Sequence, residues 1–294
     1  HNMGGFLNAT NNAAPEFIGA SMVIYDAEAV FAARTLSQRR LRGEAYAQEE
    51  ADRLVTDEVA LTRTADAIIS VSESERREFE RHGARNVHVL GHSISPTPSP
   101  RTFEQRSGIL FVGGIYTDDS PNADSLRWFA QEIWPLIQAS LSEKVTFCIV
   151  GRNRAPSIHE LASDSIRLVG SVDELGPWYD QARVVVAPTR YAAGIPMKAH
   201  SAAAYGTPLV STTLIAEQLG WQSGSQLLAA DDPREFAAAC VRLHTDPQLW
   251  RSIRQAALEQ VARDCSPERF QNSVQQLAAA IPLVHRRAQE PASK

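Results

Sequence analysis

Residues 183–212 read RVVVAPTRYAAGIPMKAHSAAAYGTPLVST, and this stretch decides the fold. Arg183 to Ala187 is a short β-branched run, the pattern of a strand buried on both faces of a parallel sheet. Pro188 stops it. A loop follows with Arg190 at its start and Gly194 in its middle. From Pro196 the pattern becomes helical, and proline is at home in a first helical position because its missing N–H has no partner to lose there. Gly206-Thr207-Pro208 ends the helix, with glycine suited to a left-handed cap, and Leu209-Val210-Ser211 opens the next strand. A loop that leaves a strand and enters a helix start directs several N–H groups at one spot, which suits an anion. Lys198 lies in the first turn and Arg190 lies across the loop, so the segment is expected to hold phosphate groups.

Strand and helix patterns alternate downstream of residue 107. Strands are expected at 108–112, 145–150, 166–169 and 227–229, and helices at 124–140, 157–162, 173–182, 233–245, 247–263 and 267–280. Such alternation implies a doubly wound parallel sheet. Upstream, strands are expected at 21–25, 67–71 and 87–90. One helix is expected over 29–64 with an apolar stripe through Leu36, Leu41, Leu54, Val59 and Leu61, and another over 73–82 with Ser72 as N-cap and Glu75 completing a capping box. Residues 91–106 carry Pro96, Pro98 and Pro100, which can propagate neither a helix nor a central strand. The expected organisation is a first α/β domain over 1–95, a linker over 96–106, a second over 107–266, and a final helix over 267–285 that packs back towards the first.

A chain of 294 residues with 44% hydrophobic and 21% charged content builds cores rather than disorder. A net charge of −5 argues against a phosphate-backbone binder, so nucleic acid is not an expected partner. No run approaches the roughly 18 apolar residues of a membrane helix, and no secretory leader pattern is read at the N-terminus. Cys148, Cys240 and Cys265 are far apart and fit small buried hydrophobes in a reducing compartment, and no metal-ligand spacing is found. The Arg39–Arg42 cluster reads as a solvated helix face, with contact to anionic lipid as the sharper alternative.

Ligands of such sheets bind at the carboxyl ends of strands, so three loops carry the chemistry. Gly113-Gly114 lets backbone approach a ligand closely. Arg152 and Arg154 in Gly151–Arg154 could reach phosphate or be solvated. In the loop from Arg190 to Lys198, a glycine, a helix start and two cations coincide. His88 and His92 are read as ordinary histidines with a general-base role as the alternative, His200 as either site-lining or packed, and Asp26 and Glu28 as hydroxyl binders or caps of the next helix.

The run ILFVGGI, FCIVGR, RLVGSV-DEL, RVVVAPTRYAAGIPMK, AAAYGTPLVST and LLAADDPREFAAA over residues 107–265 resembles the donor half of glycosyltransferase family 4, which has the GT-B fold. VIYDAEAV, DAIISVSESE and VHVLGHSI resemble the later part of that family's acceptor domain, here abbreviated. The resemblance implies a GT-B-like α/β fold of two Rossmann-like domains. It also implies retaining, metal-independent transfer of a hexose from a nucleotide-sugar, used as substrate with no cofactor, to a glycan, lipid or polypeptide acceptor in the bacterial cytoplasm. By position, Gly113 and Gly114 would line the donor phosphates, Gly194 and Lys198 would hold the diphosphate with Arg190 nearby, and Val172 would meet the base. Ser201 joins this donor set. Ala193 and Ser201 stand where the family carries two glutamates, Gly114 stands where it carries an arginine, and its following lysine has no match near Pro121-Asn122. Those departures make a non-catalytic nucleotide- or partner-binding module the alternative, and they leave the catalytic residue unassigned.

Overall fold

A computed structural model describes residues 23–280. In chain order its elements are β1 (Ile24–Ala27), α1 (Phe31–Leu41), α2 (Gln48–Ala60), β2 (Ala67–Ser70), α3 (Glu73–Arg81), β3 (Val87–Val89), β4 (Ile109–Val112), α4 (Pro121–Trp128), α5 (Trp134–Ser140), β5 (Phe147–Val150), α6 (Pro156–His159), β6 (Ile166–Gly170), α7 (Gly176–Gln181), β7 (Val184–Ala187), α8 (Met197–Ala204), β8 (Leu209–Ser211), α9 (Thr213–Leu219), β9 (Leu228–Ala229), α10 (Pro233–Thr245), α11 (Pro247–Cys265) and α12 (Pro267–Ala280). The described residues form two compact units, Ser93–Pro267 and those on either side of it. The readings at residues 1–22, including the start of the strand expected at 21–25, and beyond 280 lie outside the described residues.

The first unit is a parallel sheet in the order β1-β2-β3, with Ile24 opposite Ala67 and Ile68 opposite Val87. Its core gathers Ala27, Val30, Leu36, Val55, Val59, Ile68 and Phe79. The single helix expected over 29–64 is two helices. Gly43, at φ 70°, takes a left-handed conformation that helix cannot continue through. The break also rotates the expected stripe: Leu36 and Val59 are buried, whereas Leu41 and Leu61 are exposed. Ser72 caps α3 by accepting the Glu75 N–H, as its sequence suggests, but the Glu75 carboxylate turns to the Val30 N–H at 2.8 Å. Glu58 takes the N–H groups of Phe31 and Ala32. The orphan donors at the start of α1 are thus met by acids from α2 and α3, and Asp26 and Glu28 do not cap it.

The second unit is a six-stranded parallel sheet in the order β6-β5-β4-β7-β8-β9. The chain enters at its centre on β4, walks outward to β6, returns to β7 beside β4 and walks outward the other way to β9. On one face Phe111, Phe129, Trp134, Phe147 and Phe236 pack under α4, α5 and α10. On the other, Leu110, Val150, Tyr179 and Val185 meet the small side chains Ala199, Ala202 and Ala203, which let α8 lie close to α11. Asp232 and Asp246 each accept two N–H groups at the starts of α10 and α11, with Pro233 and Pro247 in the first turn. The helix expected over 124–140 starts earlier, at Pro121, capped by Ser120. It passes through one π-helical turn, Phe129–Ile133, before α5. Pro135 lacks the N–H that an α-helix needs there, and the Trp134 N–H reaches back to the Phe129 carbonyl instead.

The proline-rich stretch expected to link two domains runs along the second unit. Ile94 N–H donates to the Cys265 carbonyl, and Thr97 N–H to that of Ala204. At its end Arg106 is fully buried and donates to the Tyr179 and Ala182 carbonyls and to Thr207 Oγ1.

Two glycines touch at the carboxyl edge of the sheet. Gly151, at φ 137°, faces Gly113 so closely that a Cβ would sit 2.2 Å from the Gly113 oxygen. Neither backbone can retreat, because Gly113 N–H donates to Val150 O and Ile115 N–H to Arg152 O. Gly151→Ala is therefore expected to cost ~3 kcal/mol or more of stability in urea unfolding. Gly170→Ala, also at positive φ but with no atom within 4 Å of its Cβ, is expected to cost ~1 kcal/mol.

Candidate functional site

β4 and β7 are neighbours whose continuations leave in opposite directions, so the crevice at their carboxyl ends is the switch point where open α/β sheets bind ligands. Gly113-Gly114 follows β4 directly, and the loop from Arg190 to Lys198 follows β7. The structure therefore brings together the glycine pair and the cationic loop singled out in the sequence.

Lys198 is central. Its residue surface is only half-buried, but its ammonium is enclosed. It donates to Asn122 Oδ1 at 2.6 Å and lies 4.9 Å from the centre of the Phe111 ring. No carboxylate pairs with it among the described residues. Burial pulls its pKa down from 10.5 to about 8. Asn122 in turn donates from Nδ2 to the Gly114 carbonyl at 2.7 Å. One amide thus joins the glycine loop to the lysine. Asn122 was not among the candidates from sequence, where a lysine was sought nearby. Its signal was the run Ser120-Pro121-Asn122, an N-cap and first-turn proline that place it at the opening of α4.

The start of α8 faces the same place. Pro196 is the N-cap, at φ −76° and ψ 91°, and not the first helical residue expected; no side chain caps this end. Gly194, at φ 80°, supplies the left-handed turn that brings the chain there. An uncapped helix start, an enclosed ammonium and glycine backbone can together hold a doubly charged anion.

Arg190 is engaged elsewhere than expected. It forms a two-pronged pair with Asp124, Nε to Oδ2 at 3.0 Å and Nη2 to Oδ1 at 2.6 Å, and its guanidinium lies over Trp128. Tyr191 donates to the Asp119 carbonyl at 2.7 Å. These contacts and the Lys198–Asn122 bond stitch the β7–α8 loop to the opening of α4, so Arg190 acts here as a brace. Ser201, one turn beyond Lys198, lies near the Tyr179 hydroxyl. Val172 packs at the end of β6, the outer strand, among the apolar residues of that face. His200 is buried against Trp221, ring centres 5.7 Å apart, which settles it as packed. Arg152, Arg154, Asp26 and Glu28 are exposed, and His88 bonds Asn86.

A cavity of about 210 Å³ in this unit opens at the opposite ends of β4 and β5, among Ser107, Lys144, Cys148, Arg167 and Trp178. Charge and backbone geometry, not cavity size, therefore mark the switch-point site. Among the described residues no cluster of His, Cys, Asp or Glu is arranged to hold a metal ion, and no helix is long and apolar enough to cross a membrane.

Residues 106–246 match the family described as "Glycosyl transferases group 1". No curated protein matches the sequence. Similar solved structures include HepE from Anabaena in complex with UDP and glucose, at 14% identity and TM-score 0.66, covering 91% of this chain and 74% of that one. The pneumococcal O-GlcNAc transferase GtfA, in complex with UDP and GlcNAc, is 13% identical with TM-score 0.66, over 92% of this chain and 55% of its own. TarM from S. aureus is 13% identical with TM-score 0.63, over 80% and 47%. The chain thus spans about half the length of TarM and GtfA. It has the GT-B-like α/β fold, and the match to the group 1 glycosyl transferases lies within its second unit.

The depressed Lys198 pKa has a signed consequence. Between about 8 and 10.5 the unfolded chain binds a proton that the folded protein has released, so stability should rise with pH across that window. Urea midpoints of the protein are expected to gain on those of Lys198→Met from pH 8 to pH 10; parallel curves would show an ordinary lysine.

Proposed function

With a group 1 glycosyl transferase unit as premise, we propose that the protein transfers a hexose from a nucleotide-sugar donor to a glycan, lipid or polypeptide acceptor, retaining the anomeric configuration without a metal ion. The observation that carries this reading is the Lys198 ammonium, enclosed at the switch point and met by an amide rather than a carboxylate. Such a charge favours a ligand that brings negative charge to it. A departing diphosphate gains that charge as the sugar–phosphate bond breaks, so a fixed cation and a helix start stabilise the transition state more than the intact donor. Gly113 and Gly114 admit the phosphates to backbone contact, and Gly194 shapes the loop around them. HepE and GtfA, whose structures hold UDP, support uridine diphosphate as the first donor nucleotide to test.

Ala193 and Ser201, which stand where the resemblance places two carboxylates, favour a second reading. In it the unit binds a nucleotide or a partner within a larger glycosylation protein and transfers nothing. The cytoplasm is the compartment that fits a nucleotide-sugar user, and peripheral contact with a membrane belongs to the same proposal.

The two readings separate by experiment. UDP is expected to raise Tm with concentration, whereas GDP and ADP serve as comparisons. Lys198→Met should keep the fold and abolish the shift. Slow release of UDP from UDP-glucose or UDP-GlcNAc, unchanged by EDTA, would mark the enzyme. Binding without turnover would mark the module. No shift with any nucleotide would remove the enzyme and the nucleotide-binding form of the module, leaving only a partner-binding one.

A further inference from the structure

The amide of Asn122 can be oriented in one way. Nδ2 meets the Gly114 carbonyl and Oδ1 meets the Lys198 ammonium. Turned over, it would set its own carbonyl against a carbonyl and its NH₂ against an ammonium, losing both bonds. The space it occupies depends on Gly113, where a Cβ would stand 3.0 Å from Nδ2. Ser120 and Pro121 fix the backbone by opening α4 immediately before it. The glycine pair and the Ser-Pro-Asn run are therefore parts of one arrangement whose end point is a lysine.

We propose that Asn122 is a positioning residue. It aims the Lys198 ammonium into the switch-point site and, being neutral, leaves its whole charge for the ligand. This rests on the phosphate-holding reading of that site. An aspartate would fit the same space, but its carboxylate would neutralise the lysine and repel a diphosphate. An alanine would leave the ammonium without its hydrogen bond. Of the charged groups on surrounding elements, Asp124 on α4 pairs with Arg190, Asp118 accepts from the Ser157 N–H, and Arg254 on α11 donates to the Ser99 carbonyl and lies over the Trp250 ring. His200, on α8 itself, packs on Trp221. Burial displaces the Lys198 titration and no carboxylate pairs with it among the described residues, so a charge introduced at residue 122 should be read out directly.

The test compares the protein with Asn122→Asp and Asn122→Ala in two measurements. The first is the pH midpoint of Lys198 acetylation by acetic anhydride, followed by mass spectrometry without ligand. The second is calorimetric affinity for inorganic pyrophosphate and for UDP. The midpoint near 8 should move up towards 10.5 in Asn122→Asp and down in Asn122→Ala. Pyrophosphate affinity should fall ~10-fold in Asn122→Ala and ~100-fold in Asn122→Asp, an order that any loss of Tm, shared by both variants through the lost Gly114 hydrogen bond, does not reproduce. Gly113→Ala, which crowds the amide without touching the lysine, should reproduce the alanine phenotype in weaker form. Equal midpoints in all variants, or affinity losses that merely follow Tm with aspartate no worse than alanine, would overturn the proposal. Midpoints that move as expected while the unmodified protein binds neither probe would uphold the positioning and defeat the phosphate-holding reading instead.

Discussion

A lysine carried into the protein, at the wrong end of a helix and met by an amide oxygen, is the contact on which the candidate site depends. Burial disfavours its charge, and so does the positive end of the α8 dipole, since cations are stabilised at helix carboxyl ends. A carboxylate partner would relieve both, yet none pairs with it among the described residues. The face of Phe111 and the oxygen of Asn122 offset part of the cost and keep the charge available. Local strain of this kind persists where the surrounding structure over-determines it, and it concentrates at functional sites.

The surroundings do over-determine it. Arg106, fully buried, donates to the carbonyls that end α7 and to Thr207 just past α8, while Thr207 bonds the Tyr179 carbonyl. Burial lowers the pKa of Arg106 to about 10, and Asp180, 4.0 Å away, counters that desolvation. Both ends of α8 are thereby fixed, the carboxyl end through Arg106 and the amino end through Lys198, Tyr191 and Arg190. A helix held at both ends cannot swing its first turn away, so the ammonium stays aimed at the carboxyl ends of β4 and β7. The Gly151–Gly113 contact does the same for the opposite loop, because neither strand end can shift without collision.

Several parts of this were legible in the sequence. The β-branched runs, the prolines and aspartates that open α10 and α11, and the glycine that closes α8 act within a few residues of themselves, so a local reading finds them. Lys198 and the glycine pair were legible as chemistry because helix starts and adjacent glycines restrict what they can do. The departures have two causes. Gly43 divides α1 from α2 and Pro135 withholds an N–H from its helix, both local backbone effects, whereas Leu41 and Leu61 leave the core because tertiary packing selected between locally plausible faces. Arg190, expected near the phosphates, pairs with Asp124, which is distant in sequence and so invisible to a local reading. Asn122 carries no local mark of its role, because an asparagine near a helix start is unremarkable in sequence.

Readable from the residues alone were the class of fold, the order of elements in the second unit, and the candidate loops after β4 and β7, since periodicity, prolines, glycines and caps operate at short range. Only the tertiary structure decided which strands became neighbours, and therefore that the two loops meet. It also decided which cation is left without a carboxylate and which amide aims it. Those outcomes depend on distances between residues 60 to 80 positions apart, such as Asn122 with Lys198 and Asp124 with Arg190, and chain closure over that span is fixed by packing of the whole sheet, not by any segment alone.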